Sequence, residues 1–325
     1  MEDAAVTVPD TVTGASGRLL FGDRVARGVA ARESQLVLGL DPDPDRLWAG
    51  AVELAGAAGG APGGPRECAA RAVAAHCALV IEAVAEQCVA VKLQVACFER
   101  LGAPGWAALE EAAARASERD LLVIADAKRG DIDVTAAAYA QAYFGETPTP
   151  YGPVAGLGAD AITVNPLLGA DSLAPLLSRA REHGGGLFLL VRTSNPGAAD
   201  VQGVSLAGGG TVSDRLASLV AEAGADGVGD AGLADVGAVV GATAPEWVES
   251  LREQMPHAIF LLPGVGAQGG AVEALAPAFA PGPAGGLIAA SRAIVFAHER
   301  SGGEPAVAAR EEAARLRELA WKLAS

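Results

Sequence analysis

The chain has 325 residues, 51% of them hydrophobic and only 4% aromatic, so Ala, Val, Leu and Gly must fill a large interior. Its formal charge of −15 at pH 7 argues against nucleic acid or a membrane surface as a partner. No stretch approaches 18 apolar residues without Gly or charge, so a membrane-spanning helix is not expected either.

Residues 1–17, MEDAAVTVPDTVTGASG, are polar and acidic with no apolar core, and read as a flexible tail rather than a secretory signal. Residues 18–325 read as one domain. Its first apolar run, Leu36–Leu40, ends at Asp41, and the second, Val89–Leu93, contains Lys92. Leu121–Ala125 ends at Asp126, Ala161–Val164 at Asn165, and Gly186–Val191 at Arg192. Gly237–Val240, Ala258–Leu262 and Gly286–Ala290 complete eight candidate strands, the last ending at Ser291. Continuous apolar runs of this length suit parallel strands covered on both faces. Between them, residues 68–87, 105–120, 211–224, 245–255 and 304–324 carry apolar residues three and four apart and predict helices. The last adds a Glu311/Arg315 pair at i,i+4. Two Gly- and Pro-rich stretches, 55–67 and 276–286, read as surface loops. Strands alternating with helices predict an α/β fold, a (β/α)8 TIM barrel with eight parallel strands and outer helices. A doubly wound open sheet is the rival.

Cys68, Cys77, Cys88 and Cys97 are spaced by nine, eleven and nine residues, which matches no zinc pattern. They read as buried or half-buried thiols in a reducing cytoplasm. His76, His183, His257 and His298 are scattered, so no metal site built on histidine is expected.

The chemistry concentrates in IADAKRGDID, residues 124–133. Charges are rarely buried unless paired or used. In a βα barrel the loops after the strands form the active site, and Asp41, Asp126, Asn165, Arg192 and Ser291 all stand at such ends. Residues two apart on a strand share a face, so Asp126 and Lys128 point together into the barrel mouth if the extended backbone continues. An inward Lys92 on the preceding strand can reach Asp126. The alternative is an ion-pair network that only closes the barrel top. Asp131 follows Gly130 at a turn, which leaves its direction open. PGVGAQGG after the seventh strand and SRAI after the eighth suit a phosphate, because small residues let backbone N–H groups approach oxygen and Arg292 can bind it through two N–H bonds.

These segments resemble the orotidine 5′-phosphate decarboxylase family in its longer-chain variant. DAKRGDI with Thr135, VAVKLQVACFERLGAPG, VRTSNPGA, VVGAT, LLPGVGAQGG and ASRAI follow the family order from about Leu36 to about Ala297. The resemblance implies decarboxylation of orotidine 5′-phosphate to uridine 5′-phosphate with neither metal nor organic cofactor. It implies an alternating charge array of Lys92, Asp126, Lys128 and Asp131, with Lys128 as proton donor to C6 of the pyrimidine. It implies ribose contacts from Asp41 and Lys92, a pyrimidine contact from Ser194, and a pocket lined by Asn165. Gly266, Ser291 and Arg292 would hold the phosphate, and Gln268 would bridge phosphate and base. It also implies a homodimer in which Asp131 and Thr135 reach the neighbouring subunit's site. The polar segment after Ser194, NPGAADVQG, is expected to close as a lid.

Two other chemistries are weighed. A Mg2+-dependent sugar-phosphate enzyme of the same superfamily would need an acidic residue where Lys92 stands. A Schiff-base lysine would need a lowered pKa, and flanking carboxylates oppose that. A barrel that binds a nucleotide without catalysis is the third alternative.

Overall fold

A computed structural model describes residues 18–57, 63–242, 245–265 and 272–324. The expected tail, residues 1–17, lies outside them. All eight expected strands are present: β1 Leu36–Leu40, β2 Ala90–Gln94, β3 Leu122–Arg129, β4 Ala161–Val164, β5 Gly186–Arg192, β6 Val236–Val240, β7 Phe260–Pro263 and β8 Gly286–Ala290. They pair in parallel and close, with β8 hydrogen-bonded to β1, into a barrel, which rules out the open sheet.

Strand alternation sorts the side chains into two apolar cores. Leu36, Leu38, Val91, Leu93, Val123, Ile162, Leu189 and Phe260 face outward and pack against the helices. Val37, Ala90, Ile124, Ala161, Phe188, Val239, Leu261 and Ala289 face inward and fill the barrel. With so few aromatics, Phe188 does much of this filling. It needs Gly237 beside it, since a Cβ there would come within 2.7 Å of its ring. Phe21, Val25 and Val29, on the helix Phe21–Arg32, plug the bottom, and the Phe21 ring meets Phe188 edge-on at 5.9 Å. Among the described residues these side chains close the bottom of the barrel interior, and the charged cavity lies at the mouth, at the strand C-termini.

The helices fall close to their expected positions: Pro65–Val84, Gly102–Glu118, Val212–Gly224, Val248–Gln254 and Pro305–Ala324. Thr211 and Asp214 close a reciprocal capping box on the third of these. The segment Pro65–Gln87 is long and apolar enough to cross a membrane, but just over half of its apolar window is buried against the barrel and its neighbours. Its burial is that of a helix packed into the protein core.

Several expectations are corrected. Residues 276–286 are not a plain surface loop: 3-10 turns span Val272–Phe279 and Pro283–Gly285, with Ala278 and Phe279 buried. They are fastened by the buried Arg252, which donates to the carbonyls of Met255, Ala258, Ala278 and Gly285. Helices also run into both ends of residues 55–67, at Ala57 and Pro65. Arg315 pairs with Glu312 at 2.8 Å rather than with Glu311, because Glu312 lies on the half-buried side where Arg300 also approaches it. Cys77 and Cys88 are buried and Cys97 is half-buried as expected, but Cys68 is exposed.

Candidate active site

Inside the barrel five of the strands bring further inward residues above the apolar layer. Val37 is followed by Gly39 and Asp41, Ala90 by Lys92 and Gln94, Ile124 by Asp126 and Lys128, Ala161 by Thr163, and Ala289 by Ser291. The upper residues Gly39, Asp41, Lys92, Gln94, Asp126, Lys128, Thr163 and Ser291, with Thr193, Ser194, Asn195, Pro263, Gly264 and Arg292, line a cavity of about 490 Å3 at the mouth. That is in the range of a small-molecule site. Gly39 leaves room for Ser291, whose Cβ would lie 2.8 Å from an added Cβ.

The floor of the cavity is charged. Asp126 Oδ2 accepts from Lys92 Nζ at 2.7 Å, and Asp126 Oδ1 accepts from Lys128 Nζ at 2.5 Å. Asp41 lies 3.8 Å from Lys92. Thr163 donates to Asp126 Oδ1 at 2.9 Å. Gln94, with its amide nitrogen turned to Asp126, donates to that residue's carbonyl oxygen at 2.7 Å and to Oδ2 at 3.2 Å. All four lone-pair positions of one buried carboxylate are thus engaged. Burial works against the Lys92 ammonium, yet Asp126 and Asp41 outweigh it and raise its pKa. Burial also opposes ionisation of Asp126, but Lys92 and Lys128 hold its pKa down at about 2. Lys92 and Asp126 are both charged at neutral pH.

The expected extended run through Asp126 and Lys128 is corrected in one respect. Ala125 pairs with Ile162 and Arg129 with Val164, so four steps on β3 match two on β4. The surplus forms a bulge at residues 126–128, and Lys128 takes a left-handed backbone with φ +50°. The bulge turns the Lys128 side chain, 44% exposed, over the cavity floor.

Of the other expected residues, Asp41, Ser194, Ser291 and Arg292 line the cavity. Arg292 carries no ion pair among the described residues. Asn165 is not among the described lining residues: it is a local cap, and its Oδ1 accepts from the Leu167 N–H at 3.2 Å. Asp131 is half-buried and Thr135 exposed, both outside the cavity. The Asp131 carboxylate accepts from the Ile132 N–H at 2.8 Å and does not join the array within one chain. Gly266 and Gln268 lie outside the described residues. In the segment after Ser194, Gln202 bonds back to Thr193 through the Thr193 N–H at 2.9 Å and its hydroxyl at 3.0 Å. Gln94 and Thr163 were not expected. Each sits two residues along from an inward-facing neighbour, but neither type stands out in a strand.

Residues 34–309 match the family model described as "Orotidine 5'-phosphate decarboxylase / HUMPS family". The chain belongs to this family. Orotidine 5′-phosphate decarboxylase of Deinococcus radiodurans is 47% identical over 240 residues, covering 74% of this chain and 81% of that protein. The Haloarcula marismortui enzyme of the same name is 41% identical, covering 86% and 88%. The solved structure of Leishmania donovani OMP decarboxylase superposes with a TM-score of 0.69 at 29% identity, covering 94% of this chain and 100% of that one. The donor set at Asp126 is unsuited to a divalent cation, which would meet two ammonium groups already within 2.7 Å of the carboxylate.

Proposed function

We propose that this chain decarboxylates orotidine 5′-phosphate to uridine 5′-phosphate, the last step of de novo pyrimidine nucleotide synthesis, with neither metal nor organic cofactor. The observation that carries this reading is the buried Lys92–Asp126–Lys128 array on the floor of a nucleotide-sized cavity. When the C6–carboxylate bond breaks, its electron pair stays on C6. The Lys128 ammonium lies beside that carbon, stabilises the developing charge and delivers the proton that forms the new C–H bond. The amine regains its proton from solvent. Asp126, ionised at neutral pH, faces the departing carboxylate and repels it. Lys92 fixes Asp126 and, with Asp41, a ribose hydroxyl. Ser194 meets the pyrimidine amide edge. Arg292 and Ser291, with Gly266 and Gln268, take the phosphate.

The working unit is a homodimer. Asp131 and Thr135 stand beside Ile132 and Val134, which are 50% and 82% exposed. A second copy on this face would cover the two apolar side chains and bring Asp131 to the neighbour's Lys128. Residues 18–325 form the catalytic domain. The enzyme works in the cytoplasm, consistent with four free thiols.

The test is ultraviolet absorbance of orotidine 5′-phosphate with purified protein and excess EDTA. Loss of the orotate chromophore with uridine 5′-phosphate as product is the expected result. An unchanged spectrum from folded protein that still binds uridine 5′-phosphate would refute catalysis and leave a binding barrel.

A further inference from the structure

The bulge in β3 creates a difficulty that one side chain resolves. Between Ala125 and Arg129 the β3–β4 ladder is broken, and the Lys128 N–H has lost its regular backbone acceptor. Thr163 stands opposite the gap on β4, between the two paired residues Ile162 and Val164, and is 1% exposed. Its Oγ1 accepts the Lys128 N–H at 3.0 Å and donates its own proton to Asp126 Oδ1 at 2.9 Å. A hydroxyl has one donor and two acceptor positions, so one atom can serve both partners. Val, the apolar isostere, can serve neither. A buried strand residue needs no hydroxyl for packing, and Val is the commoner solution in such a place.

We propose that Thr163 is a positioning residue, whose hydroxyl ties the left-handed Lys128 backbone to the Asp126 carboxylate and so fixes the ammonium over the reacting carbon. The inference rests on the decarboxylase reading and adds a residue to it. Without the hydroxyl, the Lys128 backbone loses its anchor and Asp126 loses one of its four donors. The Lys128 Nζ is then spread over several positions. Binding of the ribose and phosphate involves other residues and stays unchanged. The loss therefore falls on kcat rather than on affinity.

The experiment compares Thr163→Val and Thr163→Ser with the wild type in kcat, KM, melting temperature and affinity for uridine 5′-phosphate. One hydrogen bond to a charged group sets the scale, so Thr163→Val is expected to lower kcat roughly 10- to 100-fold. Uridine 5′-phosphate affinity is expected to stay within about twofold. Thr163→Ser, which keeps the hydroxyl, is expected to restore kcat to within about threefold of wild type. Wild-type kcat in Thr163→Val, or failure of Ser to restore it, would overturn the assignment. If Thr163→Val does not fold, Thr163→Ala takes its place with the same expectation. Failure of both to fold would make Thr163 a residue of barrel stability and overturn the role. A wild-type control that turns over no orotidine 5′-phosphate would sink the decarboxylase reading, and this role with it.

Discussion

Replacing Lys92 with Met tests whether the array serves chemistry or stability. Lys92 and Asp126 are 7% and 8% exposed, so Lys92→Met leaves a buried carboxylate with Lys128 as its one remaining cation. The depression of the Asp126 pKa from 3.8 to about 2 corresponds to roughly 2 kcal/mol of stability at neutral pH. A depressed carboxylate pKa stabilises the fold above the unfolded value near 4, and this is lost as pH falls toward 2. Lys92→Met removes much of that term and adds the cost of an under-compensated buried charge, so about 3 kcal/mol of destabilisation is expected. The double variant Lys92→Met/Asp126→Leu carries no buried charge at the pair. It is expected to return to within about 1 kcal/mol of wild type while remaining inactive. Urea unfolding at pH 7.5, followed by tryptophan fluorescence, reads both. A single variant as stable as wild type, or a double variant less stable than the single, would refute the electrostatic account of this floor.

Three further outcomes are expected. Lys128→Ala and Asp131→Ala each lose turnover by roughly 10²- to 10⁴-fold with the fold intact. In the proposed dimer each mixed pair would hold one intact site, so mixing and refolding the two should recover about a quarter of wild-type activity; no recovery would place Asp131 outside its neighbour's site. Arg292→Ala raises KM at least about tenfold by removing a remote anion contact, and an unchanged KM would put the phosphate elsewhere. His76 is buried where its Nδ1 accepts the Trp48 N–H at 3.1 Å, and burial, then the nearby His298, lower its pKa from 6.5 to about 4. A base with a lowered folded pKa stabilises the fold above the unfolded value and loses that contribution as pH falls from 6.5 toward 4. Stability should drop by about 2 kcal/mol between pH 7.5 and 5. His76→Gln, which keeps an acceptor without titrating, should flatten this drop in urea unfolding, and an equally steep profile would refute it.

Much of this architecture is legible in sequence because its cause is local. Strands buried on both faces read as unbroken apolar runs, so all eight could be found one at a time. A polar residue at the end of such a run must leave the core, and in a parallel barrel every run ends at the same mouth. Asp41 and Asp126 could be placed together on that ground, and Lys92 and Lys128 by the two-residue period that turns them inward. Asn165 could not: the proline after it favours a turn, and its side chain is spent capping that turn. Other features depend on which residue lies beside which across the barrel. The bulge at residues 126–128 comes from a mismatch in register between β3 and β4, which neither strand carries alone. Thr163 reads as an ordinary strand residue until that register sets it opposite the gap. Gln94 likewise gains its partner only when Asp126 pairs alongside it. Sequence periodicity determines which face a side chain takes. Only the closed barrel decides its neighbour, because register is a property of two strands far apart in the chain.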